Sequence, residues 1–459
     1  MSPDNSKTSR WSSSFAFYLA AVGAAVGLGS IWRFPYLAGT GGGSAFIFVF
    51  VACCLLIATP LLAAEFLIGR RARSSPPQAA GVVARSSGLS LRWNWIGGLG
   101  TAATFMIMSY YTVIAGWVLA YTWKVGAGHL DGLDRPGVGA LWSNFLDSPV
   151  EMGAWHLAFM LIVALISARG LRGGIEVANK VRAPTLLLLL LVLVVYSLST
   201  GDVARGLAFA FAPNFGALTP QIALAAIGQA FFATGVGMAM MLAFGAYVET
   251  GTSLVRCALI IVGSILLVSM LATLMIFPLV FGYGLDPAQG TELVFRVLPT
   301  AFAEMPGGRI VGTLFFLLLV FAALTPSLAG IEPIVAWLEQ RRGSSRPKAA
   351  FMTAGALWIV GLGSVLSFNL WSEWRPLAAI PRFRALTFFA SIDFVAANIL
   401  TLAGALLTSI LVGWRISRTI IDEQLIETSF TGRRIIVWLL RYLCPLAIVV
   451  LLLAGLSES

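Results

Sequence analysis

The chain is a succession of long apolar runs separated by short polar segments. A bilayer core about 30 Å thick needs roughly 20 apolar residues per helix. Eleven runs are candidate spans, at 13–37, 43–69, 95–124, 155–169, 177–199, 221–248, 254–283, 310–339, 349–368, 388–414 and 435–456. The fourth is the shortest and has charged ends. This pattern predicts an all-α polytopic membrane protein of eleven spans, preceded by a cytoplasmic segment over 1–12. The first run reads as a span rather than a cleavable signal, because many others follow it.

Composition agrees. Of 459 residues, 58% are hydrophobic and 11% charged, with a mean hydropathy of +0.89. A soluble domain carries about 25% charged residues. There is too little polar surface for a cytosolic enzyme, a disordered regulator or a secreted scaffold. The net charge of +10 therefore points to basic loops rather than to nucleic acid. With the N-terminus in the cytoplasm, 21 of the 30 Lys and Arg fall on the cytoplasmic side, Arg182 counted among them. Eight fall outside, and Arg33 lies within the first span. The positive-inside rule selects this orientation. An odd span count then places the C-terminus outside, in a cell inner (plasma) membrane. Cys53, Cys54, Cys257 and Cys444 sit in or beside apolar runs, so no disulfide framework is expected. His129 and His156 are too far apart for a local metal motif.

Two spans carry glycine clusters. Span 1 contains Gly23, Gly27 and Gly29, followed by Ser30. Span 6 contains Gly235 and Gly237. Each glycine weakens a helix interior by up to about 1 kcal/mol, so both spans are candidates for local unwinding. Close helix packing through small residues explains either span alone. The two are five spans apart, however, in matching positions of a five-plus-five repeat. Interrupted helices in corresponding halves point to a transporter site, where freed carbonyls and half-helix ends meet a substrate or ion.

The motifs carrying these glycines resemble a known family. Gly23-Ala-Ala-Val-Gly-Leu-Gly-Ser-Ile-Trp-Arg-Phe-Pro35, followed by Gly41-Gly-Gly-Ser-Ala-Phe46, resembles the signature of the neurotransmitter:sodium symporter family. So do Pro60-Leu-Leu-Ala-Ala-Glu-Phe-Leu-Ile-Gly-Arg70, Tyr110-Tyr111, Gly228-Gln-Ala-Phe-Phe232 and Phe321-Ala-Ala-Leu-Thr325. An eleven-span chain is similar to the bacterial amino-acid transporters of that family. The resemblance implies an inverted-repeat fold, with spans 1–5 (13–200) and 6–10 (221–414) enclosing a midplane substrate site and an eleventh span outside the repeats. It implies an outer gate of Arg33 and Asp393 with Gln229 nearby, and an inner gate including Trp11 and Tyr247. Tyr111 would donate to a substrate carboxylate, and Phe232 would close the pocket as an aromatic lid. Glu65 would bond the unwound part of span 6, although a cytoplasmic boundary carboxylate is the simpler alternative.

The pocket implied by the resemblance comprises Ala25, Gly27, Gly29, Ile107, Tyr111, Phe232, Gly235, Met238, Ser327 and Gly330. Gly27 stands where monoamine transporters of the family carry an Asp. Without that carboxylate, a substrate that brings its own is favoured, namely a zwitterionic amino acid. The apolar lining and two glycines suit a large hydrophobic or aromatic side chain.

The ion sites depart from the family. The substrate-proximal sodium site would draw on Ala25, Ser30 and Ala233, and Ala233 has no side-chain oxygen. The second would use the carbonyls of Gly23, Val26 and Ala322 with the Thr325 hydroxyl, but Pro326 replaces a neighbouring ligand. Ala233 also leaves a chloride site incomplete, so chloride is not expected. At the inner gate, Thr8 and Gln340 stand where a salt-bridging Arg and Asp would. The expectation is a secondary transporter importing a hydrophobic or aromatic amino acid with sodium by alternating access, with no cofactor and no catalysis. Proton-coupled or uncoupled transport, and a substrate sensor with degenerate ion sites, are the alternatives. Glu65 and Asp393 are the titratable candidates for a proton route.

Overall fold

The computed structural model describes residues 14–290 and 292–457. Those residues form helices and connecting loops, with no strand among them. Nine of the predicted spans are continuous helices: Ser44–Ala72, Leu91–Gly126, Pro149–Ala168, Val177–Thr200, Leu254–Gly282, Gly308–Glu339, Arg346–Leu366, Phe388–Arg415 and Phe430–Ser457. The fourth is longer than expected: Pro149 starts it, with Ser148 as its N-cap.

Spans 1 and 6 are the exceptions. Span 1 runs as Ser14–Ala25, breaks, and resumes at Gly29–Thr40 after a bend of 45°. Span 6 is a helix over Pro220–Thr234 and a short one over Met240–Gly245. Between them, Gly235 and Gly237 take φ of +67° and +81°, which a side chain disfavours. Ala239 shares that region at φ +58°.

Burial separates the scaffold from the lipid face. Spans 3 and 8 pack along each other, and each has 78% of its most apolar stretch buried. Span 5 has 33% buried and presents Leu188 and Val195 outward. The broken spans therefore lie against a central pair, with lipid-facing helices around them. The four cysteines are buried and free.

Candidate functional site

A helix break leaves main-chain groups without ladder partners, and these must be bonded elsewhere. In span 1 the Leu28 amide donates to the Tyr111 hydroxyl at 3.4 Å. Gln229 Nε2 donates to the Gly29 carbonyl at 2.7 Å. In span 6 the Gly237 amide donates to Glu65 Oε1 at 2.7 Å, and the Thr104 hydroxyl donates to the Met238 carbonyl. The Met238 amide donates to Gly235. Gly237 and Met238 therefore do not extend the preceding helix, and the carbonyls of Ala233 and Thr234 lose their ladder donors. Glu65 is fully buried and holds the break rather than marking a membrane boundary.

The two breaks face one small cavity of about 30 Å³. Ala25, Gly27, Gly29, Ile107, Tyr111, Phe232, Gly235 and Met238 line it. Ala24, Met108, Ala233, Met240 and Pro326 complete the wall. Glycine is required where neighbours crowd: a Cβ on Gly27 would stand 2.5 Å from Pro326 Cγ and 3.1 Å from the Tyr111 hydroxyl. The structure does not bring Ser327 or Gly330 to the wall. The Ser327 hydroxyl donates to the Ala323 carbonyl within its own helix. Gly330 lies behind Met108, whose sulfur would be 2.6 Å from a Cβ there. Met108 is adjacent in sequence to Ile107, but its direction was set by packing that the motif does not encode.

Phe232 and Met238 also line a larger cleft of about 270 Å³, with Arg33, Gln221, Asp393 and Asn398. Phe232 thus stands between cleft and cavity. The Arg33 guanidinium stacks over its ring at 4.2 Å. Asp393 faces the same cleft, but no ion pair joins it to Arg33 among the described residues. The expected outer pair is therefore not in direct contact: Arg33 rests on the Phe232 ring, with Tyr36, Asp393 and Tyr110 all near enough to act on its charge. Wide helical turns at Gly29–Arg33 and Phe394–Leu400 carry or follow these charges; such turns recur at functional sites.

With the breaks, lid and cleft in place, comparison with known proteins is decisive. The model of the sodium:neurotransmitter symporter family matches residues 8–131 and 146–458. The chain belongs to this family. The symporter is 36% identical to a protein named uncharacterized sodium-dependent transporter YhdH of Bacillus subtilis strain 168, covering 97% of each. It is 31% identical to an uncharacterized sodium-dependent transporter of Haemophilus influenzae, covering 99% of this chain and all of that one. A crystal structure of MhsT in complex with L-phenylalanine matches with a TM-score of 0.88 at 36% identity. That match covers 97% of this chain and 99% of the other.

A separate cavity of about 280 Å³ is lined by Arg73, Tyr247, Glu249, Glu332 and Ala336. Trp11 and Thr8 lie outside the described residues, as does the side chain of Gln340. Sequence reasoning missed the pairing found here. Arg346, at the start of span 9, bridges Glu332 at 2.6 Å and Glu339 at 3.3 Å, both on span 8. It also donates to the Ser167 carbonyl of span 4 at 3.0 Å. The spacing of Glu332 and Glu339, seven residues apart, places both on one helix face, a signal legible in the sequence.

The two expected ion sites differ. At the first, Ser30 Oγ and Gln229 Oε1 are buried without hydrogen-bond partners. Oxygen donors of this kind suit a hard cation, and they fit an ion there despite Ala233. At the second site, the Thr325 hydroxyl donates to Asn179 Oδ1 at 3.1 Å. Arg182 of span 5 donates to the neighbouring Phe321 carbonyl. Arg182 is 3% exposed, so its assignment to a cytoplasmic loop is corrected. It lies on the buried face of span 5 with Asn179, Leu186, Leu190 and Leu193, a helical spacing that the sequence displays.

Proposed function

We propose that this symporter imports a hydrophobic or aromatic amino acid into the cell, coupled to sodium, by alternating access across the inner (plasma) membrane. The membrane would hold its N-terminus in the cytoplasm and its C-terminus outside. The observation that carries this reading is the cavity at the two helix breaks. Eight of the ten pocket residues expected from the sequence line it.

The chemistry follows from what those residues offer. The Tyr111 hydroxyl accepts from Leu28, which leaves its own proton free for a substrate carboxylate. The carbonyls of Ala233 and Thr234, released by the break, offer acceptors for an ammonium group. Gly27 supplies no counter-charge, so a zwitterion is favoured over an amine cation. Ile107, Met108, Met238 and Phe232 give an apolar side-chain end, and the two Met side chains adapt to its shape. The related MhsT was crystallised with L-phenylalanine, which supports the same class here. Sodium would be held by Ser30 and the adjacent oxygens, where its charge offsets that of the substrate carboxylate.

Alternating access needs a lid on one side and a latch on the other. Phe232 beneath Arg33 serves the outside. The Arg346 bridge to Glu332 and Glu339 serves the inside, in place of the pair lost at Thr8 and Gln340.

The test is calorimetric titration of the purified protein with L-phenylalanine, L-leucine and dopamine in sodium and in choline. The reading expects the amino acids to bind in sodium and dopamine to fail. Tyr111→Phe should weaken amino-acid binding by about 1.5–3 kcal/mol, the value of a hydrogen bond to a charged group. Equal binding of dopamine, or unchanged affinity in Tyr111→Phe, would overturn it.

A further inference from the structure

A buried arginine without a carboxylate partner needs an explanation. An ionisable group at membrane depth is costly, and its surroundings usually reveal its role. Arg182 has no ion pair among the described residues. One end of its guanidinium donates to the Phe321 carbonyl of span 8. The other end lies against span 1, 2.8 Å from where a Cβ on Gly23 would stand. Thr325 Cγ2 is 3.0 Å from that same point. The guanidinium therefore fills the gap between Gly23 and the 321–325 segment. The sequence had assigned that gap to a second sodium ion.

The hydrogen bonding there is wrong for a metal ion. A sodium site needs converging acceptors. Here the Thr325 proton is directed at Asn179 Oδ1, while Asn179 Nδ2 and Arg182 Nε are buried donors without acceptors. The site has a surplus of donors and already holds a positive charge. The sequence change is coherent on the same grounds. Pro326 removes a hydroxyl ligand and instead packs its ring toward Gly27, in the wall of the substrate cavity. Arginine stays protonated throughout the physiological range, so this charge does not exchange with protons.

We propose that the Arg182 guanidinium is a tethered cation standing in for the second sodium between spans 1 and 8. The symporter then has at most one sodium site, beside the substrate. A tethered cation holds span 1 to span 8 as an ion would, but it cannot be released to either side. Its gradient cannot drive transport. This deepens the transport reading above, although the placement of Arg182 does not depend on the substrate.

The test counts sodium directly, by equilibrium binding of radioactive sodium to the purified full-length protein with and without saturating L-phenylalanine. The proposal expects no more than one sodium per chain. Two would overturn it, whether or not phenylalanine binds. If phenylalanine fails to bind, the transport reading fails, while the sodium count still decides the role of Arg182. Arg182→Met keeps the bulk but removes both the charge and the surplus donors; the Phe321 carbonyl it held is then free to face an ion, and the count should rise by one. An unchanged count in a monodisperse, helical variant would contradict the proposal. Arg182→Lys keeps the charge and should keep the wild-type count, and a gain of one sodium would contradict it. In proteoliposomes clamped at zero potential, a tenfold sodium gradient should accumulate phenylalanine no more than about tenfold, one decade per coupled ion. Accumulation approaching a hundredfold would overturn the single-site reading.

Discussion

Replacing Gly330 by alanine tests how the substrate cavity is sized. The new Cβ would stand 2.6 Å from Met108 Sδ, 2.7 Å from its Cγ and 3.1 Å from its Cε. Non-bonded heavy atoms prefer about 3.5–4.0 Å, so Met108 must retreat by about 1 Å. Span 8 blocks it on one side, and the open side is the cavity. The thioether is flexible, so the protein should fold with little loss of stability. The cost falls on the ligand, because a cavity of about 30 Å³ has little room to give. Size discrimination in an apolar pocket is worth about 1–3 kcal/mol, or about 10–200-fold. Gly330→Ala should weaken L-phenylalanine binding by a factor in that range and leave L-alanine nearly unaffected. Competition binding with the two ligands reads the ratio. Met108→Ala should reverse the effect in the double variant, with a coupling energy of about 0.5–3 kcal/mol between the two sites. Unchanged phenylalanine affinity in Gly330→Ala, or equal losses for both amino acids, would refute this account of the pocket.

Other perturbations probe the scaffold. Gly237→Ala puts a Cβ into the Thr401 carbonyl at φ +81°, and thermal melting should show loss of the folded state. The converse Ala239→Gly relieves a residue at φ +58° and should stabilise the protein by about 1 kcal/mol, read by the same melt. Arg346→Met strands the buried Glu332 carboxylate and should destabilise by about 3–5 kcal/mol. It should also increase labelling of a cysteine placed at Ala336, in the cavity lined by Tyr247 and Glu332; unchanged labelling would remove Arg346 from the inner latch.

The fold was legible because membrane burial writes itself in long apolar runs, and nine of eleven became continuous helices. The two breaks were legible for a local reason. Gly235 and Gly237 adopt positive φ, which their lack of a side chain permits, and clustered glycines advertise it. What packing decides was not legible. Gly330 belonged to the expected pocket, but Met108 covers it, and a side-chain direction is not a property of spacing. Arg33 and Asp393 were expected as a pair because they share an outer gate. The structure instead lays the guanidinium on the Phe232 ring. Arg182 was counted with the loop charges because it lies near a span end. Its place in the Leu186, Leu190 and Leu193 stripe was visible, but a charge-counting rule does not weigh helical phase.

Sodium is expected to drive an amino acid through the cavity at the broken spans. Uptake of labelled L-phenylalanine into proteoliposomes tests it most directly, comparing an inward sodium gradient with equimolar choline at fixed pH and clamped potential. Transient accumulation above equilibrium is expected in sodium only, and should be abolished in Gly27→Ala, whose Cβ would meet Pro326 and Tyr111. Equal uptake in sodium and choline, or full activity in Gly27→Ala, would contradict it.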